Sequence, residues 1–150
     1  MADTTGPFVN QSGTTFATAD LTSPLENVAI ISSSLTGTLS VDLITSSIFY
    51  YTTAASGNPV FNFRGNANTT VNSLLAIGQS VSAVVLLTNG ATPYFPTSIA
   101  IDGVTVTPLW LNGLAPTYGN ASSVDVYNFT IVKTAASTYS VLATGPSRFA

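Results

Sequence analysis

A chain of 150 residues is long enough to bury a core unaided, and it holds no cysteine and no histidine, which excludes disulfides, thiolate metal sites and any Ser-His-Asp or Cys-His arrangement in one copy. Only 6% of its residues are charged, against about 25% in an ordinary globular protein, and Ser, Thr, Asn and Gly take their place. With net charge −3 and only Arg64, Lys133 and Arg148 as cations, the chain lacks the clustered Lys and Arg that nucleic-acid binding requires.

A freely diffusing monomer relies on about 25–35% charged residues at its surface for solubility. A neutral, hydroxyl-rich surface suits instead a protein held at high local density in an assembly. The alternative is an extracellular or otherwise low-charge β-protein. The purely apolar run Ala83 to Leu87 is far short of the ~20 residues a membrane-spanning helix needs. The start, MADTTGPF, has no basic segment followed by an apolar one, so no secretory signal is expected.

In chain order, Met1 to Pro24 is rich in Thr, Ser, Gly, Asp and Asn, with Phe8 and Phe16 as isolated aromatic points. It reads as an extended N-terminal arm, either a disordered terminus or a segment that docks on a neighbouring subunit. From Leu25 to Ala150 a single domain is expected. Strand signals run over Leu25–Ile31, Leu35–Ile44, Ser47–Thr53, Pro59–Arg64, Ser80–Leu87, Thr97–Ile101, Val104–Trp110, Asp125–Lys133 and Thr138–Ala143.

Period-2 alternation is clear in several. Leu39, Val41 and Leu43 oppose Ser40 and Asp42; Phe61 and Phe63 oppose Val60, Asn62 and Arg64; Tyr127, Phe129 and Ile131 oppose Asn128, Thr130 and Val132. Such alternation marks sheets with one buried face. The fold class predicted is all-β, an antiparallel β-sandwich of jelly-roll-like form. Its core is expected to include Val84, Leu86, Ile99, Ile101, Trp110, Phe129 and Ile131. Asp102-Gly103, between Ile99–Ile101 and Val104–Val106, predicts a two-residue type I′ hairpin turn. The one helix signal is Val71–Ile77, preceded by the hydroxyls of Thr69 and Thr70 and closed by Gly78. Thr134 to Ser137 reads as the loop of a C-terminal hairpin.

No catalytic, cofactor or metal site is predicted. Glycoside hydrolysis needs two carboxylates at a defined separation, and nothing pairs Asp42, on a solvent face, with Asp102, in a turn, or Asp125, at a strand start. Only Asp20 and Glu26 lie within ten residues of one another, and calcium loops need several oxygen ligands close in sequence, so the sequence has no acidic calcium loop. Among the aromatics, Trp110 reads as core. Tyr94, Phe95 and Tyr118 sit beside Pro and Gly in predicted loops and are the candidates for a contact surface, together with Phe8 and Phe16 of the arm.

The run Asn89 to Thr134, NGATPYFPTSIAIDGVTVTPLWLNGLAPTYGNASSVDVYNFTIVKT, resembles a β-rich module that recurs in virion proteins of tailed phages, notably those infecting marine cyanobacteria. The shared pieces are the "NGATPY" turn, the "IDG" hairpin, Trp110 before a Gly-Leu-Ala-Pro turn in which Asn112 replaces a glycine, and "GNASS" followed by Asp125, Tyr127, Phe129, Ile131 and Lys133-Thr134. Ser47–Arg64 and the ending Arg148-Phe149-Ala150 look similar to the same module. The resemblance leaves the leader unmatched. It implies a structural role in a phage particle and no enzyme. Shortness and the lack of fibre-forming repeats favour a capsid decoration (cement) protein, made in the host cytoplasm and carried in the virion. Its expected partners are copies of itself, with a trimer suspected, and other virion proteins such as the major capsid protein. The alternative is a tail-fibre or receptor- or glycan-binding tip domain.

Overall fold

The computed structural model describes residues 25–150, and the structural statements below concern these. The predicted arm, with Phe8 and Phe16, lies outside them. The strands are β1 (Val28–Ile31), β2 (Gly37–Asp42), β3 (Ile48–Tyr51), β4 (Pro59–Arg64), β5 (Ser80–Asn89), β6 (Ser98–Ile101), β7 (Val104–Val106), β8 (Leu109–Trp110), β9 (Ser123–Ala135) and β10 (Thr138–Phe149). A one-turn helix, α1 (Val71–Leu74), precedes β5. The hydroxyl cap expected there is Thr70, whose Oγ1 accepts from the Ser73 N–H at 3.0 Å.

The strands form a six-stranded sheet in the order β1-β3-β5-β9-β10-β8 and a four-stranded sheet in the order β2-β4-β6-β7. The sandwich expected from the sequence is therefore present, but the pairing inside it differs. From β1 to β6 the chain crosses to the other sheet at every connection. Each crossing reverses its direction, so every second strand runs the same way and lies beside the one two before it. β1–β3, β3–β5, β2–β4 and β4–β6 are accordingly parallel. Only β5–β9 and the hairpins β6–β7 and β9–β10 are antiparallel, and β8 joins β10 in parallel. The antiparallel jelly-roll expectation fails because strand length and spacing do not say whether the next strand folds back within its own sheet or across to the other. Here the crossover that parallel pairing requires is a strand of the opposite sheet.

The predicted strand Val104–Trp110 is two strands in different sheets, β7 and β8. Pro108 interrupts it, since proline has no N–H to give to a ladder. At the preceding turn Asp102 and Gly103 both have positive φ, 52° and 81°, as a type I′ hairpin requires.

The core fills the space between the sheets. Phe61 and Phe63 come from the four-stranded sheet, and Tyr127, Phe129 and Ile131 from the other; all are buried. Their rings meet edge-on or tilted, with Phe61 6.0 Å from both Tyr127 and Phe129, and Phe63 4.9 Å from Phe129. Ile99 and Ile101 are buried as predicted. Trp110 is only half-buried, at the rim of this cluster, with its ring 6.2 Å from that of Phe129.

Val84 and Leu86 face the other way. The inward residues of β5 are Ala83, Val85 and Leu87. The run is apolar at both parities, so alternation within it cannot choose a face. Pairing chooses: directly opposed residues of an antiparallel pair share a face, and Val85 stands opposite Tyr127 and Ala83 opposite Phe129.

The crossings gather at two rims. Residues 32–36, 52–58, 90–97 and 114–122 lie at the first; residues 43–47, 65–79 with α1, the Asp102-Gly103 turn and the β9–β10 turn lie at the second.

Candidate interaction surface

At the first rim the polar side chains are spent on bracing loops. Asp125 and Asn89 face inward opposite Leu87 and Ser123, and both are buried. The Asp125 carboxylate accepts from the Asn120 N–H at 2.8 Å, from Asn120 Nδ2 at 2.7 Å and from Asn89 Nδ2 at 3.1 Å. Asn89 in turn accepts from the Tyr94 N–H at 2.9 Å and donates to the Tyr94 carbonyl at 3.1 Å. One buried carboxylate thus ties the loop after β5 to the loop before β9, and its hydrogen bonds satisfy what burial would otherwise leave unpaired. Gly119 fits between them because it has no side chain: a Cβ there would stand 2.2 Å from the Tyr94 carbonyl oxygen.

The second rim spends charges on a helix too short to stand alone. Asp102 accepts from the Val71 N–H at 2.8 Å and the Asn72 N–H at 3.1 Å. Lys133, buried, donates from Nζ to the carbonyls of Asn72 and Leu75 at 2.6 and 2.9 Å. An anion at the N-terminus and a cation at the C-terminus complement the peptide dipoles. A turn of four residues, far below the length at which helices persist alone, is held in this way.

Three tyrosines are affected by the packing. Burial, with a smaller contribution from Asp125, pushes the Tyr127 phenol far above its usual range. Burial, then Asp42, raises Tyr51; burial, then Asp102, raises Tyr139.

The two outer faces differ sharply in chemistry. On the four-stranded sheet, register aligns Thr38, Val60 and Ser98, then Ser40, Asn62, Ala100 and Thr105. Beyond them Asp42 and Arg64 stand side by side, Arg64 donating from Nε at 2.5 Å and from Nη2 at 3.3 Å. That face is polar and contains its own ion pair. On the six-stranded sheet, register aligns Val28, Ile48 and Val84 in one row and Ile30, Tyr50, Leu86 and Val126 in the next. Val28 and Ile30 are exposed and the rest are half-buried, with the inward residues on the alternate positions. Across β9 and β10 the first row runs on into Asn128 and Thr144 and the second into Ser147, while Leu142, opposite Thr130, pairs with Leu109 of β8; both leucines are exposed.

The predicted contact residues are divided. Tyr94 packs against the core and Phe95 is half-buried, its N–H donating to Asn58 Oδ1 at 3.1 Å. Tyr118 is exposed, next to the close approach of Gly119 to Tyr94. Tyr94 and Tyr118 therefore share a rim, but only Tyr118 offers an open ring. Among the described residues no three His, Cys, Asp or Glu come together in a way that could hold a metal, and no helix is long and apolar enough to cross a membrane. Comparison with known proteins finds no matching family model, curated protein or solved structure.

Sequence reasoning missed the apolar outer face. Its signal was nonetheless present: β3 and β5, IFYY and SVSAVVLLTN, carry apolar residues at both parities, whereas β2 and β4, GTLSVD and PVFNFR, largely alternate.

Proposed function

We propose that this chain is a structural subunit that works packed against other proteins, a virion structural protein of a tailed phage and specifically a capsid decoration (cement) protein acting as a homo-oligomer. The observation that carries this reading is where its few charges go. Of the seven charged residues described, Asp125 and Lys133 are buried, Asp102 caps α1, and Asp42 and Arg64 neutralise each other. That leaves Glu26 and Arg148 as charges outside such arrangements. A surface so neutral has little to desolvate when covered, and removing charges from water is the main cost of burying a polar contact.

In the role of a cement, the mechanism is mass action. A protein that binds the assembled shell and not its separated subunits stabilises the shell by the free energy of that binding. The virion assignment and the major capsid protein as partner rest on the resemblance of Asn89–Thr134. A receptor- or glycan-binding tip is the second reading, favoured by the exposed Tyr118 at the first rim. Gold-labelled antibody against the chain, imaged on intact particles, tests the first reading: label spread over the shell supports decoration, label at a tail tip replaces it with the second, and unlabelled particles refute both.

A further inference from the structure

We propose that two copies of this chain pair through the outer face of the six-stranded sheet, one sheet laid against the other; this rests on the assembly reading and names the surface that serves it. The two aligned rows, Val28-Ile48-Val84 and Ile30-Tyr50-Leu86-Val126, make the β1–β3–β5 end of this face apolar; across β9 and β10 its outward residues are uncharged and include Asn128, Thr130 and Thr144, with Leu142 and Leu109 as a second apolar point. Of the charged residues of its strands, Asp125 and Lys133 are buried on the inner side, and Arg148, exposed near the end of β10, stands opposite Asp125 and so shares its inward parity.

Chemistry selects a second copy as the occupant. A two-fold contact sets the same patch against itself, so any net charge on the patch would meet its like. The polar face, with Asp42 and Arg64, offers no such apolar surface. Here there is none to meet. Area agrees as well. The six strands hold 45 residues. At about 3.4 Å rise and about 4.8 Å between strands they make a face of roughly 700 Å², close to the roughly 800 Å² per partner of a stable interface. Sheets laid face to face pack at about 10 Å separation with strands within about 30° of alignment.

The experiment is sedimentation velocity on the full chain at micromolar concentration, with Ile30→Lys, Leu142→Lys and, on the opposite sheet, Ser40→Lys. All three positions are exposed, so the core is untouched, and circular dichroism with urea unfolding checks that each variant is folded. The unaltered chain and Ser40→Lys are expected at twice the chain mass. Ile30→Lys and Leu142→Lys should weaken pairing roughly 30-fold or more, the effect of an unpaired charge driven into an interface. An oligomer that both lysines leave intact overturns this face while leaving assembly standing, and a three-copy mass overturns the two-fold pair. A monomer overturns the pairing; if labelled particles still carry it, the decoration reading survives. A monomer whose Ile30 and Leu86 methyls show nuclear Overhauser contacts to Phe8 or Phe16 assigns the face to the chain's own first 24 residues and overturns the second copy as occupant.

Discussion

Replacing Asp125 with asparagine preserves shape and removes one acceptor and one charge. The carboxylate holds two donors on Oδ2, the Asn120 N–H and Asn89 Nδ2, and on Oδ1 Asn120 Nδ2 with, at a longer 3.5 Å, the Ser123 hydroxyl. An amide oxygen in the Oδ2 place keeps two of these and turns its NH₂ toward the NH₂ of Asn120, so one charge-assisted bond is lost outright. Such a bond contributes about 1.5–3 kcal/mol, and the two that remain weaken from charged to neutral strength, nearer 1 kcal/mol each. Relief from burying an unpaired carboxylate offsets part of this. The net expectation is about 3 kcal/mol of destabilisation, a fall in Tm of roughly 6–12 °C for a chain of this length. Asp125→Ala should lose more, because it leaves the Asn120 and Asn89 donors buried without partners. Urea unfolding followed by Trp110 fluorescence, with equal slopes for the variants, gives the difference directly. If Asp125→Asn falls within about 0.5 kcal/mol of the unaltered chain, as a surface substitution would, the first rim is held by packing and the reasoning is refuted.

Three further outcomes are expected. Phe129→Ala removes the ring that Phe61, Phe63 and Trp110 contact and should cost about 3–5 kcal/mol in urea unfolding; an unchanged midpoint would contradict the inward face of β9. Lys133→Met should leave the Asn72 and Leu75 carbonyls without their donor, costing about 1–3 kcal/mol, and hydrogen exchange should quicken at Leu74 and Leu75 before anywhere in the sheets. In alkali, burial holds Tyr127 protonated in the fold, and burial shifts Tyr51 and Tyr139 in the same direction. Stability should therefore be level with respect to them below about pH 10, where unfolded tyrosine titrates, and fall above it, by about 1.4 kcal/mol per pH unit for the fully buried Tyr127 alone. Ultraviolet titration of tyrosinate should show Tyr127 ionising only on unfolding, and its ionisation near pH 10 in the folded chain would refute its burial.

Much of the sandwich was legible because its chemistry is local. β4 is bounded as the alternation of Pro59–Arg64 predicts, and the Asp102-Gly103 turn follows from two adjacent residues. What escaped the sequence depends on partners distant along the chain. The direction of pairing is decided by which sheet each arch enters, and the inward face of Ala83–Leu87 by its register with Tyr127 and Phe129. Asp125 looked like an ordinary residue at a strand start; only the fold brings Asn89, 36 positions earlier, to its oxygen. The contact surface was sought in loop aromatics, where exposed rings are easily noticed, and the outward apolar rows across β1, β3 and β5 lay hidden in strands that read as core.

The alternation between sheets also has a bearing on how freely the chain can be lengthened. Val28 and Ile48, neighbours across the six-stranded sheet, are 20 positions apart, and the next pair on the same row, Ile48 and Val84, is 36 apart. The longer return accommodates α1 and its flanking turns at the second rim. Closing a loop of 36 rather than 20 residues is less favourable by only about 0.5 kcal/mol. The row is continuous across both intervals, so the pairing of the walls does not register what the rim between them contains. Polypeptide inserted at residues 66–69, where Ala67 and Asn68 are exposed, would be displayed outward from a scaffold whose strands need not re-pair, making that turn a natural place to carry a foreign epitope or a purification tag.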